Sequence, residues 1–102
     1  VIFDEVDTGV SGKTSQKIGI KLKQTSGSCQ VICITHSAQI AALADQHLYI
    51  SKEEVSGRVE TSVSCLDDEQ RVNEIARIMG GQDITDVLLS SAKELLETSK
   101  KY

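Results

Sequence analysis

The sequence predicts an α/β fold with a parallel β-α-β core, a β-hairpin at the edge of the sheet and two C-terminal helices. Two short apolar runs, at 1–3 and 30–35, flank a stretch with helical periodicity, as in a right-handed crossover between parallel strands. Residues 47–64 form two extended stretches around a turn, and residues 67–102 carry two amphipathic helical patterns.

The first strand ends in two adjacent carboxylates, Asp4 and Glu5. Successive side chains of a strand point to opposite faces, so the two acids can reach different atoms. In a nucleotide-hydrolysing sheet, one such carboxylate helps to hold Mg²⁺, mostly through water, and the other orients the attacking water. Strands also end in polar residues for no catalytic reason, so the pair alone leaves both interpretations open.

Residues 7–14 read D-T-G-V-S-G-K-T and nearly match the phosphate-binding loop G-x-x-x-x-G-K-[ST]. Asp7 replaces the first glycine, and two carboxylates precede it. A phosphate loop directs backbone N–H groups and a lysine at an anion, and nearby carboxylates oppose that field. We therefore interpret Gly9 and Gly12 as turn glycines and Lys13 as the exposed start of a helix.

The first helix is expected to begin at Ser11 or Gly12 and to run to about Ser26. Ile18 and Leu22 are spaced four apart and should face the sheet. A basic stripe occupies another face and contains Lys13, Lys17 and Lys21. An ordinary solvated helix face is the favoured interpretation of this stripe. Contact with DNA or with a neighbouring subunit is the alternative.

The second strand, at 30–35, is continuously apolar, which predicts burial on both faces of a parallel sheet. A helix follows at about 37–44, with Ile40 and Leu43 directed inward. The polar end of this strand places His36 at the same carboxyl edge as the two acids, where open α/β folds bind ligands. A single histidine is commonly structural, but at this edge it can also hydrogen-bond a phosphate or orient water.

The remaining chain predicts a hairpin and two helices. The hairpin turns near Ser56-Gly57 and should have one solvated face, with a structural role for His47. The third helix opens at 67–69 with acids, and Gly80-Gly81 ends it. Asp83 or Thr85 caps the last helix. The residues expected to face inward on these two helices are Val72, Ile75, Ala76, Met79, Val87, Leu88, Ala92, Leu95 and Leu96.

Composition limits the classes of protein. The 102 residues suffice for one small domain, and 39% hydrophobic content with one Phe and no Trp predicts an aliphatic core. The net charge of −4 argues against strong nucleic-acid binding by this piece alone. No membrane span or signal peptide is expected. The chain starts inside a strand without Met, which indicates a fragment of a longer protein.

Three cysteines, an odd number, indicate reduced thiols in a cytosolic protein. Cys29, Cys33 and His36 have loose metal-like spacing, but no second close pair of ligands follows, so a zinc site is disfavoured. Cys33 lies in an apolar run and fits a small core residue better.

Three segments together resemble the C-terminal part of the RecN family of bacterial DNA double-strand-break repair ATPases, which are of the SMC/ABC type. They are V-I-F-D-E-V-D-T-G-V-S-G-K at 1–13, C-I-T-H-S-A-Q-I-A-A-L-A-D at 33–45 and R-I-M-G-G at 77–81. The resemblance covers nearly the whole chain. It implies a P-loop NTPase-like fold, with residues 1–102 forming the C-terminal lobe of an ABC ATPase head.

The resemblance also implies residue roles. Asp4 would be the Walker B aspartate that supports Mg²⁺, Glu5 the general base, and His36 the switch histidine at the γ-phosphate of ATP. Thr8, Gly9, Val10 and Ser11 would form the D-loop, which faces the partner head. Ser11 departs from the Asp that is common at this position in transporters and SMC proteins.

The Walker A, Q-loop, signature motif and coiled coil of this family do not occur in the sequence. The fragment alone is therefore expected neither to bind ATP tightly nor to hydrolyse it. The expected partners are the N-terminal lobe of the same head, a second head in a homodimer, and DNA ends or single strands, with no membrane. The expected location is the bacterial cytoplasm, associated with the nucleoid.

Two other functions remain open. One is another SMC-like or ABC-type ATPase, such as a transporter subunit, against which the T-G-V-S-G segment at 8–12 argues. The other is a non-catalytic assembly module that uses the β-α-β edge and the last helix.

Overall fold

The structure is a computed structural model that describes residues 1–5, 9–81 and 83–102 of the chain. Strands and helices alternate in the first half, and a hairpin and two helices follow, in the predicted order. The elements are β1 (Ile2–Asp4), α1 (Gly12–Thr25), β2 (Ile32–Ile34), α2 (Ala38–Ala42), β3 (Leu48–Val55), β4 (Arg58–Cys65), α3 (Asp68–Gly80) and α4 (Asp86–Ser99).

The two short strands β1 and β2 pair in parallel, with Phe3 opposite Cys33. This confirms the predicted β-α-β unit. The expected burial of the second strand on both faces is wrong. Phe3 and Cys33 are half-buried on one face, whereas Ile2, Ile32 and Ile34 are exposed on the other. Side chains alternate across a strand, and no element of the described part covers the second face.

Helix α1 begins where the sequence predicts because Ser11 caps it, with the Ser11 hydroxyl accepting a hydrogen bond from the Thr14 N–H. Its buried residues are Ser15 and Gly19, and it packs against α2. A Cβ atom on Gly19 would lie 2.6 Å from Leu43 Cδ1 and 3.4 Å from Ile40 Cα. The two helices therefore approach closely because residue 19 has no side chain.

The core lies where α2, α3 and α4 meet, and it is aliphatic as predicted. Its fully buried members are Ala41, Ala42, Ile75, Ala76 and Ala92. Half-buried side chains that include Leu88, Leu95 and Leu96 pack around them.

The inward direction expected for Met79 and Val87 is wrong, because both are exposed. These residues lie in the last turn of α3 and the first turn of α4. At that end the helices touch through Gly80 and Leu88, since any side chain on Gly80 would overlap Leu88. Gly81 ends α3 with a φ of 74°.

Strands β3 and β4 form the predicted hairpin around Ser56-Gly57, with φ angles of 51° and 78°. Two consecutive positive φ angles are typical of a type I′ turn, whose twist matches that of the strands. The expected place at the edge of the parallel sheet is wrong. Within the described residues the hairpin is a separate two-stranded sheet. Both of its faces are largely exposed, rather than the one face expected.

No helix in the described part of the chain combines the length and the apolar character needed to cross a membrane.

Candidate catalytic edge

The predicted site lies at one edge of the parallel strand pair. Asp4 is the last residue of β1, and Glu5 extends the pairing because its backbone N–H donates to the Ile34 carbonyl over 2.7 Å. Thr35 and His36 directly follow the end of β2. Since the strands run in the same direction, the acids and the imidazole emerge at the same edge.

Glu5 and His36 are in direct contact. His36 Nδ1 lies 2.8 Å from Glu5 Oε1, with 86% of the His36 side chain and 48% of the Glu5 side chain exposed. An ionised carboxylate only accepts hydrogen bonds, so the proton of this bond is assigned to Nδ1. An exposed pair of this kind contributes at most about 1 kcal/mol to stability. Its main consequence is to fix the tautomer and leave Nε2 for another partner.

The backbone at Glu5 is strained. Its φ angle is 48°, one of two positive values at non-glycine residues in the described chain. A left-handed conformation costs a residue with a Cβ atom about 1 to 2 kcal/mol. The hydrogen bond to Ile34 holds the residue there. Such strain concentrates at functional sites, where the surrounding structure fixes a required side-chain position.

A short hydroxyl-rich loop positions His36. The Thr35 hydroxyl accepts from the Ser37 N–H over 2.9 Å. The Ser37 hydroxyl in turn accepts from the Ile40 N–H over 3.4 Å and caps α2. His36 therefore lies between two residues whose side chains bind the backbone, which restricts the loop around the imidazole.

The predicted D-loop is described in part. Thr8 lies outside the described residues, as does Asp7 before it, while Gly9 and Val10 are exposed. The Ser11 hydroxyl accepts from the Thr14 N–H over 3.3 Å and donates to Thr14 Oγ1 over 3.1 Å. Both contacts link Ser11 to the first turn of α1, which Ser11 caps. Ser11, which stands where Asp is common, therefore has a structural role. Asp serves equally well as a helix cap.

The interpretation of the near-match to a phosphate loop needs one correction. Gly12 is the first residue of α1 rather than a turn glycine. Lys13 is exposed in the first helical turn, as the sequence predicts.

The residues at this edge could supply some of the ligands of a magnesium site, but not a complete set. Among the described residues, no group of three or more His, Cys, Asp or Glu side chains could enclose a metal ion. Mg²⁺ commonly keeps several waters and uses one or two carboxylates together with substrate phosphates. The exposed carboxylate of Asp4 suits that part. Cys29, Cys33 and Cys65 do not form disulfides in the described chain.

The edge is accessible to solvent, because Asp4 and Glu5 are exposed and 86% of the His36 side chain is exposed. One shallow cavity of about 290 Å³ lies between Tyr49 of β3 and residues of α3, such as Arg77. Another of about 350 Å³ lies between α1 and the C-terminal Tyr102. Neither is lined by Asp4, Glu5 or His36.

Arg71 is a supporting residue that the sequence reasoning missed. Its Nη2 donates to the carbonyls of Ala41 and Ala44, over 3.2 and 3.0 Å, at the C-terminal end of α2. The Ala41 carbonyl also accepts from the Ala44 N–H over 3.2 Å, so Arg71 adds a second donor where the helix ends. The sequence feature that could have revealed this role is the position of an arginine beside the apolar stripe of α3. Arg71 joins α3 to the helix that follows His36.

Comparison with known proteins gives relatives along nearly the whole chain, although no protein-family model matches. The chain is 56% identical over 97 residues to the DNA repair protein RecN of Halalkalibacterium halodurans. It is 50% identical over 97 residues to RecN of Bacillus subtilis and 45% identical over 96 residues to RecN of Vibrio cholerae. These matches cover 94–95% of this chain and 17% of each relative. Over this length the chain is a RecN-like sequence, and it spans about a sixth of those proteins.

A solved structure from work on ATP-driven dimerization and DNA-stimulated activation of SMC ATPases shares the fold, with a TM-score of 0.63. The match is 23% identical and covers 81% of this chain and 49% of that one. The predicted fold class, α/β with a parallel β-α-β core, a hairpin and C-terminal helices, is confirmed.

Proposed function

We propose that this chain, with residues 1–102 as one domain, is the C-terminal lobe of the ATPase head of a RecN-type DNA repair protein. In the whole protein, two such heads would bind and hydrolyse ATP between them. The observation that carries the proposal is the contact of Glu5 with His36 at the shared edge of two parallel strands. The RecN-like sequence and the SMC-type fold support it.

Glu5 is the general base in this proposal. The contact with His36 holds the Glu5 carboxylate in position, where it can accept a proton from water. His36 uses its remaining nitrogen toward the terminal phosphate. Its protonation determines whether that nitrogen donates or accepts a hydrogen bond.

Asp4 takes part in holding Mg²⁺, through water. When bound, the metal ion neutralises charge on the phosphates of ATP, which is the substrate. Asp4 belongs to β1 itself and is fixed by the strand pairing. Thr8, Gly9, Val10 and Ser11 face the partner head in the dimer.

The open edge implies that this lobe works only with the rest of the head. Glu5 and His36 are exposed in the described chain, and the fragment alone neither binds ATP tightly nor turns it over. The N-terminal lobe of the same head would supply the phosphate loop. We place the whole protein at the bacterial nucleoid in the cytoplasm, with DNA ends or single strands as its partners.

The test is ATP turnover by the full-length protein that carries this chain. Glu5→Gln keeps the size and polarity of the side chain but removes the base, so turnover should fall about 10² to 10⁴-fold. ATP binding should persist. Glu60→Gln, on the exposed hairpin, is the matched control and should be unaffected. Normal turnover by Glu5→Gln would contradict the proposal.

A non-catalytic assembly module is the second candidate, and the uncovered face of Ile2, Ile32 and Ile34 favours it. In that case the full-length protein would lack ATPase activity altogether, while substitutions on this face would disrupt its assembly. Turnover that depends on Glu5 rejects this candidate.

A further inference from the structure

Positive charge is segregated along the chain. Residues 8–44 contain four lysines and no Asp or Glu, whereas the other 65 residues carry seven Lys or Arg against 15 Asp or Glu. A segment of charge +4 is thus embedded in a chain of net charge −4. Helix α1 carries all four lysines. Charge asymmetry of this kind is typical of surfaces that contact polyanions.

Three of these lysines lie on the face of α1 that points away from the protein. Ser15 and Gly19 mark the buried face, and at 100° per residue Lys13, Lys17 and Lys21 fall on the opposite side. All three are exposed. They make no ion pair with the part of the chain that the structure describes. The fourth, Lys23, differs because it pairs with Asp45.

This arrangement does not help α1 to fold. Like charges spaced four apart repel each other on a helix. Lys13 also lies in the first turn, where the helix dipole disfavours a cation, and no acid is present in that turn. A stripe that opposes helix stability and pairs with no acid among the described residues points to a partner outside this lobe.

The spacing suits a repeating anion. The lysines follow one another along the helix at about 6 Å intervals, and the apolar residues between them in the sequence, Ile18 and Ile20, are half-buried. Nucleic-acid backbones present negative charge at regular short intervals and are bound mainly by Lys and Arg. A protein interface would instead be expected to include apolar or aromatic residues at its centre.

We propose that Lys13, Lys17 and Lys21 form a contact surface for the phosphate backbone of nucleic acid, without reading its sequence. The proposal rests on the proposed function for its biological setting, a DNA repair ATPase, and deepens it by locating a DNA contact on the exposed face of α1. Because the rest of the chain carries a net negative charge, the contact with nucleic acid is limited to the three lysines.

The test is DNA binding by the full-length protein, with Lys13, Lys17 and Lys21 all changed to Gln. Binding of a fluorescein-labelled duplex of mixed sequence, and separately of its single strand, is followed by anisotropy from about 50 to 200 mM salt. Each lost phosphate contact removes about 0.9 from the slope of log affinity against log salt for a duplex. The slope should therefore fall by about 2 to 3 and affinity by roughly tenfold or more. Changing the three lysines to Arg should preserve binding.

The matched control changes Lys52, Lys93 and Lys101 to Gln, which removes the same charge from exposed positions elsewhere. It should change affinity and slope much less. Equal effects of the two triple variants, or unchanged DNA binding in the stripe variant, would overturn the proposal. Loss of self-association with DNA binding intact would also overturn it and assign the stripe to a neighbouring subunit.

Turnover of ATP without DNA separates the two proposals. The stripe variant should keep the basal rate, because no stripe residue lies at the catalytic edge. A wild-type protein that binds DNA through the stripe but lacks Glu5-dependent turnover would refute the proposed function alone.

Discussion

His47 lies half-buried just before β3, and its Nδ1 is buried without a hydrogen-bond partner in the described part of the chain. Burial lowers the pKa of His47 below 6.5, and the positive charge of Arg71 lowers it further, while Glu74 opposes the shift. The neutral form is therefore favoured in the folded state. The position of His47 agrees with the structural role predicted for it. Protonation of His47 at low pH should destabilise the folded state.

The lowered pKa of His47 predicts a stability that depends on pH. Above about 6.5 the histidine is neutral in both folded and unfolded chains, and its contribution to stability is fully present. As pH falls below that value, the unfolded chain takes up the proton first, so the free energy of unfolding decreases until pH passes below the folded-state pKa. Urea unfolding between about pH 8 and pH 5 measures this decrease.

His47→Gln should make the decrease in stability below about pH 6.5 shallower. His36→Gln, which changes the other histidine of the chain, should leave the His47-dependent decrease in place. An identical pH profile in wild type and His47→Gln would show that burial of His47 does not control this dependence.

At the residue level, the sequence predicted best the positions that the strand topology determines. Asp4, Glu5 and His36 each follow an apolar strand, and the handedness of a β-α-β unit brings such strand ends together. The contact distance between Glu5 and His36 and the positive φ of Glu5 depend on loop geometry that no pattern encodes. Arg71 escaped notice because its partners are backbone carbonyls 27 and 30 residues away.

Helix boundaries followed from local chemistry and were predicted well. Ser11, Ser37, Asp67 and Thr85 each cap a helix, and capping depends on residues three or four positions apart. Burial within the helices was predicted less well. Met79 and Val87 fit the helical period, yet the terminal turns where they lie are not covered by a neighbouring element.

The close packing of α1 on α2 predicts opposite outcomes for two glycine substitutions. Gly19→Val adds a branched side chain against Leu43 and the Ile40 backbone, and overpacking of this kind costs about 1 to 3 kcal/mol. Gly12→Ala meets no atom within 4 Å and should be neutral or stabilise the chain by up to about 1 kcal/mol. Urea unfolding at neutral pH measures both.

A Gly19→Val variant as stable as wild type would show that α1 does not approach α2 as closely as described. Equal destabilisation by Gly12→Ala would instead indicate that the exposed first turn of α1 has a packing partner.

At the scale of the whole molecule, the main feature is the exposed surface of its two sheets. In the described residues, the parallel pair has half-buried side chains on one face and exposed isoleucines on the other, and the hairpin is a separate sheet. The apolar run at 30–35 correctly indicated a strand, but the burial expected on both of its faces is wrong, since Ile32 and Ile34 are exposed. It could not indicate that no element of the described residues covers the second face. The relatives are about six times longer than the matched segment.

The uncovered sheet face predicts self-association of the 102-residue chain. Ile2→Thr combined with Ile32→Thr removes apolar surface from this face while retaining residues that favour strands. The variant should show less light scattering and less binding of a hydrophobic dye than wild type. Val87→Thr changes a similarly exposed residue on α4 and should have little effect. Equal scattering by all three proteins would place the association surface elsewhere.

The central claim is that Glu5 and His36 act together on one ATP molecule, and a double-mutant cycle on ATP turnover by the full-length protein tests it most directly. Residues that act as a unit are strongly non-additive. The account predicts that Glu5→Gln with His36→Gln is scarcely slower than Glu5→Gln alone. Losses that multiply fully, or a Glu5→Gln variant with wild-type turnover, would contradict it.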